Sequence, residues 1–147
     1  MTTRLTLPDV QEVAFGLARE CLAFDEPIPD FKTRFPGRLE ACLNVPFQSF
    51  EGHSPYRSLA TKAAILFYLL IKDHPFQNGN KRIALTSLLV FLFLNGKWLE
   101  SDEHELYRLS IDVADSNPKA KDLIVAGVAG FIERCLVSAS ASGPTAS

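Results

Sequence analysis

Residues 83–94 read IALTSLLVFLFL, a run that is apolar on every side of a helix. Such a helix is stable in water only at the centre of a domain, where other elements cover it. Residues 63–71, AAILFYLLI, make the same demand. Each run is far short of the ~20 residues that a membrane-spanning helix needs, so the pair predicts two packed core helices and no membrane partner. The chain of 147 residues is long enough to supply the cover within one domain. Its formal charge of −2 gives no broad basic field, so no direct nucleic-acid partner is expected and any anion site must be local. Cys21, Cys42 and Cys135 are widely spaced and unpaired in number, which fits reduced core thiols in a cytoplasmic protein. Met1-Thr2-Thr3-Arg4 does not lead into an apolar stretch, so no secretory signal is expected.

The flanking sequence predicts where the cover comes from. Thr6-Leu7-Pro8-Asp9 supplies a capping hydroxyl, a first-turn proline and an acid at the positive end of a helix. Val10, Val13, Ala14, Leu17, Ala18 and Cys21 follow at helical spacing. Asp25-Glu26-Pro27-Ile28-Pro29-Asp30 reads as a loop, because two prolines in three residues forbid a continuous helix. Phe35-Pro36-Gly37 reads as a turn and 38–43 as a short helix. Pro46, Gly52 and Pro55 exclude a helix over 45–56, where Val45, Phe47, Ser49 and Phe50 around Glu51-Gly52 predict a small β-hairpin or extended flap. Helices are predicted over 58–73 and 80–94, the second ended by a left-handed cap at Asn95-Gly96. Asp102-x-x-Glu105 opens another to about 115, and Asn117-Pro118 opens the last, through 136. Residues 138–147, rich in Ser and Ala, read as a disordered tail. The expectation is one all-α domain over 1–137, a helical bundle around a central buried helix, with a small β-hairpin flap.

Between the two most apolar segments lies the densest polar cluster, HPFQNGNKR at 74–82. It opens the second core helix, whose first N–H groups have no intrahelical partner and form an anion site with the positive end of the dipole. Gly79 permits a sharp turn or a close approach to a ligand. Lys81 and Arg82 fall in the first turn, where cations oppose the dipole and cost stability unless an anion is bound. The pattern reads as a phosphate cradle. His74 stands at the other end of the loop, and a histidine can take a proton from a hydroxyl near neutral pH. A base beside a phosphate cradle points to phosphoryl or nucleotidyl transfer. Phe76 reads as the buried anchor of the loop and Pro75 as its stiffener. Thr86 and Ser87, inside the buried helix, are expected to bond back to their own backbone. His53 and His104 read as surface residues, and no His/Cys set has zinc-ligand spacing.

HPFQNGNKR resembles the signature of the Fic/Doc (Fido) family, H-x-F-x-[D/E]-G-N-[G/K]-R. The likeness extends over roughly 5–135, through FPGRLEA at 35–41, the flap, Leu59-x-x-Lys62-Ala63-Ala64 and Asn95-Gly96. It implies a Fic-type helical core. The flap, here Phe47, Gln48, Ser49, Phe50, Glu51 and Gly52, would pair with a target segment as an added strand. It also implies transfer of part of a nucleoside triphosphate, ATP or another with Mg²⁺, to a protein hydroxyl. That part is AMP in most Fic enzymes. In Doc-type members it is the terminal phosphate, placed on a translation factor from a nucleotide bound in the reverse direction. By that likeness His74 would be the general base, and Gly79 would supply backbone donors. Asn80 would hold a phosphate and orient the loop, and Lys81 and Arg82 would bind phosphates.

Lys81 stands where Fic enzymes carry glycine, and Leu85 where many carry a second arginine. Both lean towards phosphate transfer by a Doc-like toxin, with AMP transfer as the second reading and a non-catalytic phosphate-binding module as the third. Gly79 matches Fic enzymes rather than the alanine of Doc-type members. Asn78 stands where the family has an acid that holds Mg²⁺, and a neutral amide would be a weaker metal or phosphate contact. The inhibitory pattern [S/T]-x-x-x-E-[G/N] is not met, since Phe47 lies four residues before Glu51. Restraint is therefore expected from a separate antitoxin chain whose disordered segment folds onto this one. The other expected partner is the target protein.

Overall fold

A computed structural model of the chain describes residues 1–139, which are mostly helical. Thr6 caps the first helix by accepting from Asp9 N–H, and Asp9 answers through the Thr6 N–H. α1 (Leu7–Asp9) runs without a break through a widened π-helical turn, Val10–Ala14, into α2 (Phe15–Ala18). The helical pattern in the sequence continues to Cys21, but the helix stops at Ala18, and Leu22 takes a left-handed φ of 51°. The reason lies across the core: the Arg82 guanidinium takes up the carbonyls of Ala18 and Cys21. After a single 3-10 turn at Phe31–Thr33 comes α3 (Arg38–Asn44), close to the expected short helix.

The expected flap is smaller than the sequence suggested. Val45–Phe47 is a 3-10 turn with Pro46 in its first turn, and the strand-like pairing that follows it is a single bridge between Phe50 and His53. Phe47 is drawn inward, its ring edge-on to Phe91 at 6.2 Å and flanked by Arg4 and Lys62. An aromatic with that much core surface to gain leaves the strand.

α4 (Leu59–Lys72) and α5 (Asn80–Leu94) form the packed centre. α5 is buried along almost its whole length, as its uniform apolarity requires, and is covered by α4, α2, the π-helical turn and α6 (Glu103–Asp115). α7 (Lys121–Cys135), entered through a 3-10 turn at Pro118–Ala120, packs on the far side of α4. Thr86 does more than bond back to its own helix: its shortest contact is a donation to Ala14 O at 2.9 Å, tying α5 to the π-helical turn. Ser87 Oγ is buried without a partner among the described residues.

The α5 end is closed by the Asn95 side chain, which donates to Phe91 O and Thr3 O and accepts from Thr3 N–H, while Gly96 adopts a left-handed φ of 76°. The sequence did not predict the sheet that follows. β1 (Lys97–Leu99) pairs antiparallel with β2 (Leu136–Ser138), in the register Trp98↔Val137. Leu136, read as helical, thus begins a strand. Of the expected tail, Ser138 ends β2 and residues 140–147 lie outside the described residues. Among the described residues no helix is long and apolar enough to cross a membrane.

Phe91 is fully buried where α5 meets the Phe47 turn. Phe91→Ala should lower the unfolding free energy by about 3–5 kcal/mol in urea titration.

Candidate active site

The loop that carries HPFQNGNKR is held at both ends before any ligand is considered. At its start, Lys72 Nζ donates to Ala114 O at 3.2 Å and Ser116 O at 2.7 Å, fixing the end of α4 to the end of α6. His74 then takes a left-handed φ of 45°, a conformation that side chains other than glycine rarely adopt. Its ring is exposed, while Pro75 and Phe76 turn into the core. The Phe76 ring lies edge-on to Phe15 with centroids 5.1 Å apart, the anchoring role the sequence suggested. Gln77 and Asn78 are exposed at the tip, and Gly79, with φ 70°, starts α5. The Asn80 amide closes the loop: Oδ1 accepts from Phe76 N–H at 3.1 Å and Nδ2 donates to Phe76 O at 2.9 Å. Nδ2 also lies 3.4 Å from His74 Nδ1, to which it can donate in the tautomer that leaves Nδ1 unprotonated. The buried Asn80 therefore organises the backbone on which His74 stands.

The cations at the start of α5 part company. Arg82 is buried, with Nε donating to Cys21 O at 2.8 Å, Nη1 to Glu26 O at 2.8 Å and Nη2 to Ala18 O. A guanidinium fork so engaged is bonded to its own chain, where the sequence pattern alone had assigned it to phosphate. Lys81 is half-buried, its Nζ 3.8 Å from Asp25 Oδ1. The second Asp25 oxygen is buried without a partner among the described residues. Glu26 Oε1 accepts from Gly79 N–H at 3.2 Å. The loop after α2 thus brings two carboxylates to the positive end of α5 and offsets the charge that Lys81 and Arg82 add to the dipole. The same loop explains Gly79, since a Cβ there would lie 3.0 Å from both Ile28 Cδ1 and Pro27 O. Sequence reasoning treated 25–30 only as a linker. The signal it missed was Asp25-Glu26, an acidic pair beside a helix start that lacks an acid of its own.

Gln48, Ser49, Phe50, Glu51 and Gly52 form an exposed turn with left-handed φ at Glu51 and Gly52, whereas Phe47 belongs to the core side. Leu85 is buried and lines a cleft of about 290 Å³ with Cys21, Leu89, Trp98 and the acids Glu20 and Glu103. His53 and His104 are exposed. Burial, then the nearby Asp73 carboxylate, pushes the Cys42 thiol up to about 12, so it is inert as a nucleophile. As a resident site for a divalent cation the loop fits poorly. Asn78 offers one neutral oxygen, the nearby acids are engaged by Gly79 and Lys81, and no group of three His, Cys, Asp or Glu among the described residues could hold a metal.

The Fic/DOC family model matches residues 4–92, from the start of the chain into α5. Toxin Doc of Mycolicibacterium smegmatis is 36% identical over 73 residues, which is 50% of this chain and 56% of that protein. The chain thus spans little more than half the length of the curated relative it matches. No solved structure matches.

The division of labour between the two cations is measurable. Arg82→Met removes the donors of three main-chain carbonyls and should cost about 3–5 kcal/mol in urea unfolding, and Arg82→Lys, lacking the planar fork, should recover little of it. Lys81→Met breaks one long ion pair and should cost less than about 1 kcal/mol.

Proposed function

The chain belongs to the Fic/DOC family, and on that premise we propose that it is a Doc-like toxin that moves the terminal phosphate of a nucleoside triphosphate, ATP or another, onto a hydroxyl of a target protein. The observation that carries this reading is one loop with an exposed imidazole at one end and the start of a buried helix, flanked by an ammonium group, at the other. The name of the relative, Toxin Doc, supports the toxin part of the reading.

In this reading the target hydroxyl oxygen attacks the γ-phosphorus. The bond from that phosphorus to the β–γ bridging oxygen breaks, and the nucleoside diphosphate leaves. His74 takes the hydroxyl proton. The first N–H groups of α5 and the Lys81 ammonium face the charge that spreads over the phosphoryl oxygens. Asn80 keeps the loop in shape and Arg82 acts through the fold rather than on the nucleotide. The donor arrives as its Mg²⁺ complex, the cation belonging to the substrate. Glu26 and Asp25 compete with phosphate for Gly79 and Lys81, so their loop turns aside when the donor binds. The exposed turn from Gln48 to Gly52 receives the target segment. An antitoxin chain restrains the protein in the cytoplasm.

The test is a lysate incubated with the protein, Mg²⁺ and ATP labelled at either the α- or the γ-phosphate, with His74→Ala as control. The expected outcome is label from the γ-position only, absent in His74→Ala. Label from the α-position would replace phosphate transfer by AMP transfer, and no His74-dependent label from any nucleoside triphosphate would leave a binding module. The competition by the acidic loop has its own measure. Glu26→Gln removes a charge worth about 1 kcal/mol at a helix end and should tighten nucleotide binding roughly five-fold by calorimetry.

A further inference from the structure

The left-handed backbone of His74 is not explained by the residues that follow it. A non-glycine residue in that region is strained and persists only where its surroundings over-determine it. Asn80 fixes Phe76, two residues further on. The hydrogen bonds to the His74 and Pro75 carbonyls come from elsewhere. Arg38 Nη1 donates to His74 O at 3.2 Å, and Phe35 N–H donates to Pro75 O at 2.9 Å. Two successive carbonyls are thus gripped by one short turn, Phe35 to Arg38.

That turn is itself braced. Arg38 N–H donates to Phe35 O at 3.3 Å, Gly37 takes a φ of 80°, and the Arg38 guanidinium lies 4.4 Å over the Phe35 ring. Stacking on the ring limits the swing of a long side chain and aims its donors. Arg38 is exposed, while the α3 residues that face the core are Leu39, Cys42 and Leu43. Core packing therefore does not account for an arginine here. Arg38 also lines an open cleft of about 340 Å³ with Pro36, Gly37, Ala41 and Asp73, the residue before His74.

We propose that Arg38 is a positioning residue for His74: its hydrogen bond to the His74 carbonyl, with that of Phe35 N–H to Pro75, holds the backbone in the conformation that aims the imidazole. The inference rests on the function proposed above for His74, and it assigns the reacting geometry in part to a residue outside the nine-residue loop.

The test compares Arg38→Met, which keeps the stem on Phe35 but loses the donor, with Arg38→Lys, which keeps a donor and the charge. The first readout needs no activity: the three-bond HN–Hα coupling and the α-carbon shift of His74 by NMR. Arg38→Met should move both away from left-handed values and Arg38→Lys should restore them in part, with the urea midpoint unchanged. The second readout is transfer kinetics, where Arg38→Met should lower kcat roughly ten- to a hundred-fold with little change in KM. Unchanged His74 coupling and shift in Arg38→Met overturn the proposal. So does a kcat loss accompanied by an equal fall in stability. If the unaltered protein shows no His74-dependent transfer, the functional reading fails, and the NMR comparison still decides whether Arg38 holds the His74 backbone.

Discussion

Arg82 is the residue on which the placing of the loop depends. A guanidinium in the first turn of a buried helix cannot be left without acceptors, because the cost of desolvating it is several kcal/mol. Three carbonyls from 18–26 satisfy it. That requirement stops α2 at Ala18, sets the course of the chain through Leu22, and brings Asp25 to Ile28 against Gly79. The first helix, the acidic loop and the start of α5 are in that sense one hydrogen-bonded unit, with Phe15 and Phe76 packed beneath it.

The same unit changes how the charge at the start of α5 is understood. Two cations at the positive end of a helix are unfavourable alone, and a bound anion is one remedy. The fold supplies another, the carboxylates of Asp25 and Glu26. The internal remedy is reversible for Lys81 and for the Gly79 N–H, which make single, long contacts. Arg82 is satisfied differently, by three short bonds to main-chain carbonyls that are close to permanent. Displacing the acids from the first two positions would therefore leave the third intact.

Much of the fold was legible because burial imposes periodicity. The uniform apolarity of 83–94 located the central helix, and Thr6, Asp102 and Gly96 marked helix ends through their capping chemistry. What was not legible depended on contacts distant in sequence. The strand at Leu136–Ser138 is three residues long and carries no period, so its apolar residues read as more helix. The inward turn of Phe47 is decided by Phe91, 44 positions away in the chain. Within the loop, the residue types read as an anion site and a base. Nothing in them distinguished the buried arginine from the half-exposed lysine beside it, or marked Phe35 and Arg38 as the residues that grip the His74 and Pro75 carbonyls.

The split between buried and exposed positions in the loop bears on how such a sequence ages. Phe76, Gly79, Asn80 and Arg82 are retained by the demands of folding whether or not any chemistry survives. His74, Gln77 and Asn78 are exposed, and core packing makes no demand on their side chains. A lineage that lost its activity would go on displaying most of the signature, so the signature alone records ancestry. The exposed positions are where abandonment or repurposing would be written first, and Asn78 is the position at which this chain has already departed from the pattern.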